Sequence, residues 1–126
     1  MTSLAGIRVL VIEDEALIAA LVEDMLTEMG ATVIGPAATV AKGLALAESE
    51  TIDAAVLDVN LNSESVDPIV DKLNALRVPF VFATGYGEAG VPKAAGAPVI
   101  EKPYTREALA NALVRIARRS DGAPRS

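Results

Sequence analysis

Apolar residues occur along this chain in blocks of two lengths. Short blocks that are almost wholly apolar, such as residues 7–12 and 54–57, predict strands covered on both faces, as in a parallel sheet. Between them lie longer stretches in which apolar positions recur every three or four residues, the spacing of amphipathic helices. The pattern therefore predicts strands and helices in alternation, an α/β fold.

The strand–helix unit occurs five times. The predicted strands are residues 7–12, 32–34, 54–58, 80–84 and 99–100, and the predicted helices are residues 16–29, 40–48, 67–76 and a last helix capped by Thr105. The fourth crossover, residues 85–98, contains several glycines and prolines, so we expect its helix to be short or mobile. Units of this length form parallel sheets with right-handed connections, so we expect a (βα)5 doubly wound fold.

The helical periods also predict which side chains face the core. We expect one domain with a core over about residues 6–118, a disordered start and a loose tail over residues 119–126. Two further features are Asp67, predicted as the cap of the third helix, and Gly30, predicted as the end of the first. The predicted buried faces of the first and third helices consist of Leu17, Ile18, Leu21, Val22, Met25 and Met29, and of Ile69, Val70, Leu73 and Leu76.

Composition narrows the function. The 126 residues carry a net charge of −6, which argues against nucleic acid or an anionic membrane as a partner. Since the chain has no Cys and no His, thiolate chemistry, an imidazole base and a Ser-His-Asp triad are excluded. Without a membrane-spanning run or a signal peptide pattern, we expect a soluble cytoplasmic protein. Carboxylates, hydroxyls, lysine and backbone groups remain, a set that suits hard cations and phosphate.

Polar side chains follow four of the predicted strands. Glu13 and Asp14 follow the first, Asp58 ends the third, Thr84 ends the fourth and Lys102 comes after the fifth. Taken singly, each has an ordinary explanation, such as an acidic helix start, a turn threonine or an exposed lysine. Because the carboxyl ends of parallel strands share one edge, the ordered set instead predicts a common site.

Such a site would bind Mg2+ and phosphate. Close carboxylates repel one another and must take up protons or a cation, and oxygen ligands without His or Cys select Mg2+. The predicted ligands are Glu13 (through water), Asp14, Asp58 and the backbone carbonyl of Asn60. Asp58 would be the nucleophile that forms an aspartyl phosphate. We expect the two remaining groups, the hydroxyl of Thr84 and the ammonium of Lys102, to bind phosphoryl oxygens.

These residues resemble the signature of response-regulator receiver domains over about residues 6–118. The resemblance lies in residues 13–14, 56–58, 84 and 102–104, and residues 79–87 further resemble the FATGUY subgroup of alphaproteobacteria. It implies a flavodoxin-like strand order 2-1-3-4-5, Mg2+ dependence and slow self-dephosphorylation. It also implies a phosphohistidine donor, either a sensor histidine kinase, with the HWE type associated with FATGUY receivers, or a phosphotransfer protein.

One position departs from the family pattern. Many receivers carry Tyr or Phe three residues before the lysine as a switch, and here that position is Val99. The FATGUY resemblance suggests signalling through the glycine-rich segment after Thr84 instead. Gly85 would leave the site open there and Tyr86 would report the change, although a Tyr86 that merely packs is an equally good interpretation.

We therefore expect a single-domain response regulator that is not an enzyme with a substrate of its own. It would act on a downstream protein by contact, or serve as a shuttle or sink for phosphoryl groups. Two alternatives stay open. One is a Mg2+-dependent phosphatase with an aspartyl intermediate, although such enzymes use a second acid where this chain has Asn60. The other is a binding module that works without phosphorylation.

Overall fold

Five parallel strands form the sheet at the centre of the molecule, in the order β2-β1-β3-β4-β5. The computed structural model describes residues 4–59, 61, 64–84, 99–101 and 105–122. The strands are β1 (Arg8–Ile12), β2 (Thr32–Ala37), β3 (Ala54–Asp58), β4 (Phe80–Thr84) and β5 (Val99–Glu101), and the described helices are α1 (Ala16–Glu28), α2 (Val40–Ser49), α3 (Asp67–Leu76) and α4 (Arg106–Gly122). The predicted α/β fold and its strand order are confirmed, whereas the predicted fourth crossover lies outside the described residues.

The sheet has a separate apolar layer on each face. Along β1, Val9 and Val11 belong to one layer while Leu10 and Ile12 belong to the other, as the alternation of side chains in a strand requires. The first layer contains buried residues of α1 and α4, and the second contains those of α2 and α3. All five residues of β3 are buried, which agrees with its apolar sequence and its central place.

The edge strand β2 is longer than predicted. It continues through Gly35 and Pro36 to Ala37, and its register with β1 shifts between Leu10 and Ile12. Proline lacks a backbone N–H and is tolerated on an edge strand, so Pro36 does not end the strand. Gly35 has φ +101°, a conformation that side chains rarely adopt. The extension matters because the Ala37 carbonyl accepts a hydrogen bond from the Glu13 N–H at 2.9 Å.

The predicted buried face of α1 is confirmed in part, since Val22 and Met25 are buried and Ile18 and Met29 pack against the same apolar layer. Leu17 is 88% exposed and Leu21 is 46% exposed, so their assignment to the core is wrong. Leucine and alanine are spread around this helix, so its period fits two orientations, and the observed one places the small Ala19 in the core. The buried residues of α1 are Ala19, Val22, Met25 and Leu26. Leu76, at the last position of α3, is also exposed (45%), contrary to the prediction.

The core begins earlier in the chain than predicted. Leu4 is fully buried, although residues 1–6 are expected to be disordered. Its N–H donates to the carbonyl of Met29 at 2.9 Å, next to Gly30, which ends α1 with φ +92° as predicted. The segment before β1 is thus fastened to the end of the first helix. At the other end of the chain, α4 runs four residues past the predicted limit of 118.

Helix starts are capped by the predicted threonines but not by the predicted aspartate. Thr39 accepts a hydrogen bond from the Lys42 N–H, and Thr105 accepts one from the Ala108 N–H. Asp67 is the first residue of α3 rather than its cap, and Ser65 accepts its N–H. None of the described helices has the length and apolar character needed to cross a membrane.

Candidate functional site

Strand register brings Glu13 and Asp58 side by side at the carboxyl edge of the sheet. Ile12, the last residue of β1, pairs with Leu57 of β3. The residues that follow them, Glu13 and Asp58, therefore lie next to each other. Asp58 in turn pairs with Ala83 of β4. The predicted convergence of the acids that follow β1 and β3 is therefore a direct result of parallel pairing.

Glu13, Asp14 and Asp58 form a carboxylate cluster. One oxygen from each carboxylate lies within 4.8 Å of the others. Glu13 is 2% exposed and Asp58 is 1% exposed, whereas Asp14 is only partly buried. The cluster therefore has a buried base and opens toward solvent at Asp14. Three negative charges at this spacing repel one another strongly in a weakly polar surrounding, so the site favours a cation.

The donor set of the carboxylate cluster fits Mg2+. All three donors are hard oxygens, and Mg2+ binds oxygen ligands at 2.0–2.1 Å, so ligands on opposite sides of the ion are about 4.2 Å apart. The carboxylate oxygens of the cluster lie up to 4.8 Å apart, slightly more than this distance. A small shift of the side chains would bring them into binding distance, as would one carboxylate that binds the ion through a water. Mg2+ retains several waters, and the open side at Asp14 leaves room for them.

Local hydrogen bonds fix Glu13 in place. Its backbone N–H donates to the Ala37 carbonyl at the end of β2, and its Oε2 accepts the Glu15 N–H at 3.1 Å. Glu15 is the residue before α1, so the Glu13 carboxylate also lies at the positive end of a helix. Glu13 is therefore both an acidic helix start and a member of the carboxylate cluster.

The loop after Asp58 is attached at several points that the sequence analysis missed. Val59 donates its N–H to Ala83 at 3.1 Å, and the side chain of Leu61 is fully buried. Glu64 donates its N–H to the Leu61 carbonyl at 2.8 Å, and its Oε1 accepts the Val40 N–H at 3.1 Å. The burial of Leu61 could have been predicted, because a single leucine within a polar stretch often packs into the core. The sequence holds no comparable signal for Glu64, whose partner is 24 residues away.

The other predicted site residues are described only in part or not at all. Thr84 ends β4, one position after the partner of Asp58, so its backbone lies at the same edge of the sheet. Val99 begins β5 and pairs with Phe82. The predicted roles of Asn60, Gly85, Tyr86 and Lys102 stay predictions because these residues lie outside the described part of the chain.

Sequence comparison finds relatives over most of the chain. The family model for the response regulator receiver domain matches residues 9–114. The phyllosphere-induced regulator PhyR of Methylorubrum extorquens is 36% identical over 84 residues, which are 64% of this chain and 32% of that protein. The matched part thus spans about a third of the length of that relative.

Solved structures with the same fold include two of the protein SdrG. A solution structure of SdrG from Sphingomonas melonis Fr1 superposes with a TM-score of 0.79 at 42% sequence identity, over 87% of this chain and 95% of that one. The BeF3-activated conformation of SdrG, from Pseudomonas melonis Fr1, gives a TM-score of 0.77 at 40% identity, over 90% of this chain and 98% of that one.

Proposed function

This chain belongs to the response regulator receiver domain family, and we propose that it receives a phosphoryl group on Asp58. The observation that carries the proposal is the carboxylate cluster, in which Asp58 lies within 4.8 Å of Glu13 and Asp14 at the carboxyl edge of a parallel sheet. Within the cluster, Asp58 is the acid that ends the central strand β3, where ligands bind in open α/β sheets.

The transfer is a displacement at phosphorus. An oxygen of Asp58 forms a bond to the phosphorus while the P–N bond of a donor phosphohistidine breaks, and the electron pair of that bond passes to the imidazole nitrogen. The chain has no His, so the phosphohistidine must belong to another protein. Mg2+ held by Glu13, Asp14 and Asp58 would supply positive charge beside the phosphoryl oxygens.

Further residues complete this proposal. Lys102 and the hydroxyl of Thr84 bind phosphoryl oxygens, and the carbonyl of Asn60 is a further ligand of the cation. The Glu13 carboxylate is held by its hydrogen bond from the Glu15 N–H at the start of α1, which keeps it within 4.8 Å of Asp58. Little beyond positioning and charge stabilisation is required of such a site.

The proposed donor is a sensor histidine kinase of the HWE type or a phosphotransfer protein, and the proposed setting is the cytoplasm. The choice of the HWE type follows from the resemblance of residues 79–87 to the FATGUY subgroup. A BeF3-activated conformation is known for SdrG, whose chain is 40% identical, and beryllofluoride is therefore a suitable probe here. Phosphorylation would act through the segment that contains Gly85 and Tyr86, since Val99 stands in place of the aromatic switch, and the signal would pass to a downstream protein by contact.

The direct test is labelling with a small phosphodonor. Acetyl phosphate and Mg2+ should add one phosphoryl group to the wild-type protein, measured by intact mass, and EDTA should abolish the addition. Asp58→Asn should gain none, whereas Asp71→Asn, which removes an exposed acid of α3, should be labelled like wild type. Labelling of folded Asp58→Asn protein at the wild-type level would overturn the assignment.

A further inference from the structure

The side chain of Glu64 holds the loop after Asp58 against the start of α2. Its Oε1 accepts the N–H of Val40, the first residue of α2, at 3.1 Å. The first N–H groups of a helix lack partners within the helix, and a carboxylate there is also favoured by the helix dipole. Thr39 already caps the same helix end through the Lys42 N–H, so α2 begins with one cap of its own and one supplied by this loop.

The other end of this link is anchored in the core. Glu64 and Leu61 form an antiparallel bridge, with the Glu64 N–H donating to the Leu61 carbonyl at 2.8 Å. Leu61 is fully buried and packs in the α2–α3 layer, so Glu64 is bonded to a residue that is held in the core. Val59 adds a hydrogen bond to Ala83 of β4. The loop is thus attached one, three and six residues after Asp58.

A path of contacts leads from Glu64 back to the carboxylate cluster. Helix α2 begins three residues after Ala37, whose carbonyl accepts the Glu13 N–H. The start of α2 is therefore joined to Glu13 on one side and to the loop after Asp58 on the other. These contacts connect the two stretches of chain that flank the cluster, in addition to the pairing of β1 with β3.

We propose that Glu64 is a positioning residue, which sets the affinity of the carboxylate cluster for a divalent cation by fixing the loop after Asp58 relative to Glu13. The inference rests on the proposed function only in taking the cluster to be a cation site. Ligands that are already in place bind a cation without the entropic cost of ordering them. Asp58 comes directly before Val59, so a loop that is released from α2 holds the Asp58 carboxylate less firmly, and the affinity falls by the cost of ordering that ligand.

The experiment compares the dissociation constant of Mg2+ for wild type, Glu64→Ala and Glu64→Gln by amide NMR titration at one ionic strength. Glu64→Ala removes the acceptor of the Val40 N–H. We expect it to weaken the Mg2+ affinity by about three- to tenfold, which corresponds to the free energy of such a helix cap. Glu64→Gln keeps a carbonyl oxygen for the same N–H and should stay within about twofold of wild type.

A matched control separates this effect from the loss of a negative charge. Glu48→Ala also removes an exposed glutamate from the α2–α3 side, where Glu48 pairs with Lys72 at 2.9 Å, and it should leave the Mg2+ affinity unchanged. Equal affinities of Glu64→Ala and wild type would overturn the proposal. Equal weakening by Glu64→Ala and Glu64→Gln would also overturn it, since charge rather than the hydrogen bond would then be responsible.

Failure of the proposed function is distinguishable from failure of this inference. Mg2+ binding is measured without any phosphodonor, whereas the acceptor is identified by labelling Asp58. An unlabelled Asp58 together with the expected Glu64 pattern would refute the proposed function alone. A labelled Asp58 with no change of Mg2+ affinity in Glu64→Ala would refute the positioning role alone.

Discussion

Replacing Asp58 by asparagine should stabilise the fold when no divalent cation is present. The substitution keeps the shape of the side chain and removes one of three carboxylates that lie within 4.8 Å of one another. Asp58 and Glu13 are both almost fully buried, so solvent screens their repulsion poorly. The wild-type protein therefore carries an electrostatic cost that a bound cation would offset and that the variant lacks.

The size of this cost follows from the geometry. Two unit charges at the outer limit of 4.8 Å repel by about 3.5 kcal/mol at an effective dielectric constant near 20. The second pair, Asp58 with Asp14, adds less because Asp14 is partly exposed. Relaxation of the site and the different hydrogen bonding of an amide reduce the total. We expect Asp58→Asn to raise the free energy of unfolding by about 1–3 kcal/mol in EDTA.

Mg2+ should reduce or reverse this difference in stability. A ligand at one hundred times its dissociation constant stabilises the state that binds it by about 2.7 kcal/mol. Wild type should gain this amount, whereas Asp58→Asn, which has lost a ligand of the cation, should gain much less. Urea unfolding of both proteins, in EDTA and in Mg2+, measures all four free energies.

The control is Asp24→Asn, which removes an exposed acid of α1 outside the carboxylate cluster. Its free energy of unfolding should stay within about 0.5 kcal/mol of wild type in both buffers. The reasoning would be refuted if Asp58→Asn were less stable than wild type in EDTA. It would also be refuted if Mg2+ stabilised Asp58→Asn and wild type equally, because the cation would then bind elsewhere.

Three further substitutions test the packing and the surface. Leu4→Ala should lower the free energy of unfolding by about 2–5 kcal/mol in urea, since this side chain is fully buried; a loss below 1 kcal/mol would show that the first residues add little to the core. Gly43→Ala should lower it by about 1–2 kcal/mol, because the new methyl group would lie 2.7 and 2.9 Å from two isoleucine side chains, and a gain in stability would mean that they give way. Leu17 is 88% exposed on the first turn of α1, three residues after Asp14, so it is placed to contact a protein that docks beside the site. Leu17→Ser should therefore slow phosphorylation by a protein donor about tenfold and should not slow labelling by acetyl phosphate. The matched control is Leu76→Ser, which removes another exposed leucine, and equal slowing with both donors would contradict a role of Leu17 in docking.

The strand ends of this protein can be predicted from sequence because they follow from topology. Once residues 54–58 are recognised as a buried parallel strand, the acids after β1 are expected at the same edge of the sheet as Asp58. The strand order that the family resemblance implies makes β1 and β3 neighbours, and the observed cluster agrees with both. Strand pairing is long-range in the chain but regular, so one pattern determines where many residues lie. The threonine caps of α2 and α4 were predictable for a different reason, because a cap is a contact within one turn of helix.

The features that the sequence could not predict depend on tertiary contacts that leave no periodic pattern in the chain. The exposure of Leu17 and Leu21 depends on how α1 is rotated against the sheet, and a helix with apolar residues around much of its circumference fits more than one rotation. Pro36 reads as a strand end unless β2 is known to be an edge strand. Glu64 meets Val40 only because the loop after β3 and the start of α2 lie at the same edge of the sheet.

The division of the interior by the sheet limits how a change at one face can be felt at the other. In the described part of the chain, the two apolar layers share no side chain. A rearrangement near α1 therefore cannot travel to α2 and α3 by one side chain pushing directly on the next through a continuous core. Such a change would have to be transmitted by a displacement of the strands. Strand β3 contributes side chains to both layers and carries Asp58, so a shift of β3 would be felt on both faces of the sheet.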